Sequence, residues 1–166
     1  MSRQQRNLSN REILTHPIHI LSFGFGSGLS PRAPGTFGSA AAIPIWYLFH
    51  DQPLMIQGLI IGVSFILGCY FCHVTATAMK VHDHPGIVWD EFVGIWIPLM
   101  LIGPEPVDIF VVFVLFRFFD VLKPWPINWL DRRVSGGIGI MVDDVVAGLY
   151  AIAILAALQA FFPAWI

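Results

Sequence analysis

Residues 54–72 read LMIQGLIIGVSFILGCYFC, a run without a single Asp, Glu, Lys or Arg. Wound as an α-helix, it is long enough to cross the roughly 30 Å of hydrocarbon in a bilayer. The uncharged stretch around it extends over residues 52–79. Composition points the same way. The 166 residues are 56% hydrophobic and only 12% charged, with a mean hydropathy of +0.71. A soluble domain carries about 25% charged residues, so this chain has half the usual supply for a surface facing water. Its length sets a single membrane-embedded domain over residues 1–166. Residues 1–16, MSRQQRNLSNREILTH, form a polar, basic segment with no apolar core of the kind a cleavable signal needs.

Working outward, residues 33–50 and 145–162 are two further uncharged blocks. Residues 92–104 and 109–116 make a split block, broken by the turn signal Gly103-Pro104-Glu105-Pro106. Its halves are short for full spans and fit a tilted or partly inserted hairpin. The expected fold is therefore all-α, a polytopic membrane bundle of four to five apolar helices. Sorting the loops by side puts His50 to Pro53, Gly103 to Asp108 and the C-terminus on one face. On the other face fall all nine basic residues: Arg3, Arg6, Arg11, Arg32, Lys80, Arg117, Lys123, Arg132 and Arg133. The positive-inside rule makes that second face cytoplasmic. Trp125 and Trp129 are expected to act as interfacial anchors.

The acids then gather at the cytoplasmic rim. Asp90 and Glu91 are expected to open the third helix, and Asp143 and Asp144 the fifth. An isolated buried carboxylate is costly unless it is paired, hydrogen-bonded or bound to a metal. Hard oxygen donors select Mg²⁺, Mn²⁺ or Ca²⁺, and Mg²⁺ combines one or two carboxylates with substrate phosphate oxygens. Arg117, Asp120 and Lys123 are three residues apart in succession and are expected to share a helix face. Arg117 and Lys123 suit a phosphate, the first as a two-pronged donor and the second as a point charge. The bland alternative is that the acids and bases only pair and hold helices together. Ionisable residues at membrane depth favour function over that reading.

Thr36 and Ser39, beside Gly35 and Gly38, offer hydroxyls and backbone amides to a phosphate. The Gly24-x-Gly26-x-Gly28 spacing matches neither nucleotide-binding pattern, and close packing or a turn explains these glycines equally well. Cys69-Tyr70-Phe71-Cys72-His73 spells a haem-attachment motif. It lies in an apolar helix towards the cytoplasmic end, so packing is expected and no haem. His82-Asp83-His84 is expected to be a solvent loop rather than a metal site. Cysteine-phosphatase chemistry is excluded, because the position six residues after each cysteine holds Thr75 or Ala78 rather than Arg. No Asp-x-Asp-x-Thr and no Pro-Ser-Gly-His motif occurs. A transporter would spread its charges through the membrane depth, whereas here they cluster at one rim. No nucleic-acid partner is expected.

Four stretches, in order, carry a resemblance: residues 23–39 (FGFGSGLSPRAPGTFGS), 81–94 (VHDHPGIVWDEFVG), 116–126 (FRFFDVLKPWP) and 136–148 (GGIGIMVDDVVAG). In these the chain resembles the bacterial phosphatidylglycerophosphatase A family. The resemblance implies a Mg²⁺-dependent, multi-pass enzyme of the bacterial inner membrane with its site facing the cytoplasm. Its substrate would be a phospholipid, phosphatidylglycerophosphate, hydrolysed to phosphatidylglycerol and inorganic phosphate in phospholipid biosynthesis. It also implies a catalytic and metal-binding role for Asp90, Glu91, Asp143 and Asp144. Arg117 and Lys123 would bind phosphate with Asp120 in support. Attack by water and attack through an aspartyl-phosphate both fit these residues.

Overall fold

A computed structural model describes residues 8–161. Among them the fold is all-helical, with no strands. Two short helices, α1 (Asn10–Thr15) and α2 (Pro17–Ser22), precede a glycine-rich 3-10 turn at Gly24–Leu29. Then come α3 (Pro34–Trp46), α4 (Leu54–Met79), α5 (Trp89–Leu99), α6 (Pro106–Leu122), α7 (Ile127–Arg133) and α8 (Gly136–Phe161). Arg3, Arg6 and the last residue of the 145–162 block lie outside the described residues.

Two helices, α4 and α8, are long and apolar enough to cross a membrane, each with 26 residues. At 1.5 Å per residue each is about 39 Å long. A core helix of a soluble protein would bury its apolar side chains. On α4, however, Met55, Leu59, Ile66 and Tyr70 are all more than half exposed, as a face bathed in lipid would be. The other three long elements are shorter: 13 residues in α3, 11 in α5 and 17 in α6. Of the four to five apolar helices expected, two among the described residues reach across by length, and α3, α5 and α6 pack among them.

The centre of the bundle is α5. Ten of its 11 residues are buried, the mark of a helix apolar all round and enclosed by neighbours. It packs on α3, α4, α6 and α8. Trp89 donates from Nε1 to the Ser64 carbonyl of α4 at 3.2 Å, and Trp96 from Nε1 to the Ala42 carbonyl of α3 at 2.9 Å. Trp89 stacks on Phe92 with ring centroids 5.4 Å apart. Inside a bilayer, lipid is as apolar as leucine, so helices associate by close fit rather than by escape from water. Gly94 and Gly148 supply that fit: a Cβ on Gly148 would collide with the Gly94 carbonyl, and one on Gly94 would strike Phe116. Gly137 likewise lies against the Cys69 carbonyl, bringing α8 onto α4.

Both cysteines of the haem-like motif lie within α4. Cys72 is fully buried, with its thiol 3.9 Å from the Met141 sulfur. The glycine-rich turn is a backbone device: Gly24, Phe25 and Gly26 have φ of 53°, 56° and 99°. The end of α2 just before it is tied to the 80–88 loop by Val88 N–H donating to the Ser22 carbonyl at 2.8 Å. In that loop His82 is exposed, and His84 Nδ1 accepts from the Gly86 amide at 3.0 Å.

Candidate active site

Asp90 and Glu91 occupy the first turn of α5, as their position after the 80–88 loop predicts. Asp143 and Asp144 do not open their helix. Since α8 begins at Gly136, they lie seven and eight residues in, about 10–12 Å from its first residue. The run Gly136-Gly137-Ile138-Gly139 enters the helix because its small residues pack against Cys69 and Val134. The acids continue the helix because partners on neighbouring elements meet them. All four carboxylates are buried, between 2% and 8% exposed.

Three of them converge. Asp90, Glu91 and Asp144 each offer an oxygen within 4.8 Å of the others. Asp90 Oδ1, Glu91 Oε2 and Asp144 Oδ2 are buried with no hydrogen-bond partner among the described residues. Unsatisfied buried carboxylate oxygens are rare and costly. A small, hard divalent cation is the ligand whose chemistry answers all three at once, so the donor set fits Mg²⁺.

The fourth acid faces elsewhere. Asp143 Oδ2 accepts from Lys123 Nζ at 2.5 Å, and Asp131 Oδ1 from the same ammonium at 3.2 Å. Asp143 Oδ1 is buried and has no hydrogen-bond partner among the described residues. Lys123 caps α6 in the left-handed conformation, φ 42°. That twist carries its side chain off the Arg117–Asp120 face towards α7 and α8. The single face expected for Arg117, Asp120 and Lys123 therefore holds only for the first two. Burial lowers the Lys123 pKa, but the hydrogen bond and charge of Asp143, with help from Asp131, outweigh it and raise the ammonium above its ordinary value. Asp131 had no signal in the sequence beyond an acid eight residues after a lysine.

Arg117 joins the two halves. Its Nη1 is 2.5 Å from Asp120 Oδ2 and 3.7 Å from Glu91 Oε1, and donates to Ser39 Oγ at 3.5 Å. Its Nε is buried without an acceptor among the described residues. Ser39 also donates to the Gly35 carbonyl at 2.9 Å. Thr36 lies half-buried in the first turn of α3, its amide bonded to the Ala33 carbonyl at 3.0 Å. Gly35 is what admits α3 here. A Cβ at that position would fall on the Glu91 carboxylate and lie 3.0 Å from both terminal nitrogens of Arg117.

A buried polar chain was also missed. His19 Nδ1 meets Thr75 Oγ1 at 2.9 Å, and Ser22 Oγ meets the same hydroxyl at 2.8 Å. It pins α2 to the end of α4.

Fold and site define a class: a helical membrane protein with carboxylates and a guanidinium gathered inside one end of its bundle. The chain belongs to the Phosphatidylglycerophosphatase A family, whose profile matches residues 20–159. It is 48% identical over 156 residues to the phosphatidylglycerophosphatase A of Escherichia coli, covering 93% of this chain and 91% of that protein. Against the Haemophilus influenzae protein of the same name it is 46% identical over 148 residues, 88% and 91% of the two chains. A Bacteroides thetaiotaomicron relative, provisionally named a phosphatidylinositol-3-phosphatase, is 33% identical over 144 residues, 82% and 90% of the two. No solved structure matches the chain.

Proposed function

We propose that this protein is a lipid phosphatase that hydrolyses phosphatidylglycerophosphate to phosphatidylglycerol and inorganic phosphate. It would act as a single-domain, multi-pass protein of the bacterial inner membrane in phospholipid biosynthesis, its site opening to the cytoplasm. Names of the relatives supply the substrate. One observation carries the chemistry: three buried carboxylates with free oxygens, beside an arginine with a free buried donor.

Asp90, Glu91 and Asp144 would hold Mg²⁺. When bound, the cation supplies charge neutralisation at the phosphate and acidifies water. The chain's own residues do the rest. Arg117 turns N–H donors, Nε among them, to the non-bridging phosphate oxygens, and Asp120 with Glu91 keeps its guanidinium in place. Thr36 adds a hydroxyl from the first turn of α3, while Ser39, expected to do the same, gives its proton to the Gly35 carbonyl and instead accepts from Arg117 and steadies the guanidinium. Lys123 spends two N–H bonds on Asp131 and Asp143; an ammonium has three, and the third serves the phosphate. Asp143, fixed by Lys123 through one oxygen, orients the attacking water with the other. Water adds to phosphorus, the bond to the glycerol oxygen breaks, and that oxygen leaves with a proton as the lipid's hydroxyl. Positioning and charge account for most catalysis of phosphoryl transfer.

The test is phosphate release from phosphatidylglycerophosphate by detergent-purified protein. EDTA should abolish it and Mg²⁺ restore it; full turnover in metal-free buffer would sink the carboxylate–cation reading. Asp144→Asn should raise the Mg²⁺ concentration needed for half-maximal rate, and Lys123→Ala should leave that concentration unchanged. Lys123→Ala should instead lower kcat/KM about 10- to 150-fold, the value of one charge-assisted hydrogen bond.

A further inference from the structure

Lys123 holds a backbone shape that a lysine resists. Its φ of 42° and ψ of 59° lie in the left-handed region, which glycine alone visits without steric cost. The following Pro124 steers position 123 towards extended backbone instead. Such strain lasts only where the surroundings over-determine it. Two carboxylates on different helices do so here. Asp143 Oδ2 on α8 and Asp131 Oδ1 on α7 accept from the ammonium at 2.5 and 3.2 Å. Their settings differ, with the Asp143 side chain 8% exposed and that of Asp131 40%. Other contacts already hold the surroundings of Asp131 in place. Ile127, fully buried, docks α7. Tyr150 of α8 holds the turn after Lys123, donating from its hydroxyl to the Trp125 carbonyl at 2.9 Å. An ion pair as open to water as Lys123–Asp131 adds little to stability. What it fixes is a direction.

A lysine carries its charge on a flexible four-carbon stem. Held by Asp143 alone, that stem would pivot about one oxygen, and the remaining N–H bonds would sweep with it. A second acceptor on another helix removes this freedom and leaves the third N–H a single direction. We propose that Asp131 is a positioning residue, which aims the third N–H of Lys123 at the substrate phosphate. This rests on the reading of Lys123 as a phosphate ligand given above. Asp131 acts through the ammonium and not on the phosphate or the cation. Through it α7, which supplies none of the candidate ligands, takes part in the reaction.

A double-mutant cycle tests this, read as phosphate release from phosphatidylglycerophosphate by the detergent-purified full chain. Asp131→Ala should lower kcat/KM about ten-fold, within the loss expected when a group at the reaction is misplaced by about an ångström. In a Lys123→Ala background the same substitution should change kcat/KM less than about two-fold, because a residue that acts only through Lys123 then has nothing to aim. Asp131→Asn keeps an acceptor oxygen in the same shape and should stay within about three-fold of the native rate. It also separates a lost contact from a fold defect in the alanine variant. The Mg²⁺ concentration for half-maximal rate should not move in either Asp131 variant. A similar loss in both backgrounds would make Asp131 act independently of Lys123 and overturn the assignment. Native turnover in Asp131→Ala would do the same, as would a raised Mg²⁺ requirement. A loss in Asp131→Asn equal to that in Asp131→Ala would assign the effect to charge and overturn it too. If Lys123→Ala by itself keeps the native rate, Lys123 is no phosphate ligand and the proposal falls with that reading, a result distinct from any failure at Asp131.

Discussion

Gly35 shows how much of the site depends on a missing atom. Glu91 and Arg117 come from α5 and α6, and α3 reaches them only because position 35 has no side chain. Gly35→Ala should therefore push the Arg117 guanidinium or the Glu91 carboxylate out of place while leaving the helices inserted. Displacement of about an ångström costs on the order of 100-fold in rate, and phosphate release should fall by about that much. Gly58→Ala is the matched control, since nothing lies within 4 Å of a Cβ there. It should gain slightly in helix propensity and keep full activity. Equal activity in both variants would show that α3 does not shape the site. Asp143 and Asp144 teach a related lesson. Adjacent and alike in the sequence, they point to different partners, one to Lys123 and one to Asp90 and Glu91, because neighbours on a helix are turned about 100° apart.

At the scale of elements, α2 is held to α4 by a hydroxyl with two claimants. Thr75 is fully buried and bonds both His19 and Ser22. Burial holds His19 below its ordinary pKa; the neighbouring His16 adds to this and Glu12 opposes it. The unfolded chain therefore takes up a proton near pH 6.5 that the folded chain resists. Stability from this contact is complete above about pH 6.5 and is lost as pH falls towards the lower folded value. Thermal unfolding in detergent at about pH 7.5 and about pH 5.5 should show a larger drop for the native protein than for His19→Gln. Parallel drops would remove His19 from the account. The carboxylates that also titrate are common to both proteins and cancel.

At the scale of the whole molecule, basic residues mark one end of the bundle. Lys80 follows α4, Arg117 lies in the last two turns of α6 and Lys123 caps it, and Arg132 and Arg133 end α7 just before α8 starts. Asp51, Glu105 and Asp108 mark the opposite end, between α3 and α4 and at the start of α6. If the basic end is cytoplasmic, a cysteine replacing Asp51, in a background lacking Cys69 and Cys72, should react with an impermeant thiol reagent added outside spheroplasts. One replacing Arg132 should react only after the membrane is opened. The opposite pattern would invert the orientation and place the carboxylate site outside.

Helical class, a lipid environment, the acidic pairs and the family were legible in the chain itself, because uncharged run length, basic-residue bias and four ordered motifs are properties of linear sequence. Residues 54–72 announced α4 without help. The sequence showed that the 92–104 block is short for a span, but not that α5 is a buried hub enclosed by α3, α4, α6 and α8, since hydropathy alone does not separate lipid from protein as an apolar helix's surroundings. Nor did it show that α8 begins at Gly136, placing Asp143 and Asp144 well inside the helix. That depended on Cys69 and Val134 meeting Gly137 and Gly139 at the start of the helix and on Lys123 meeting Asp143. Which three of four carboxylates converge, and why Lys123 leaves Asp120 for Asp131 and Asp143, were decided only by tertiary structure. Each depends on side chains from different helices arriving at the same few ångströms, and sequence spacing sets a direction along one helix but not the position of its neighbour.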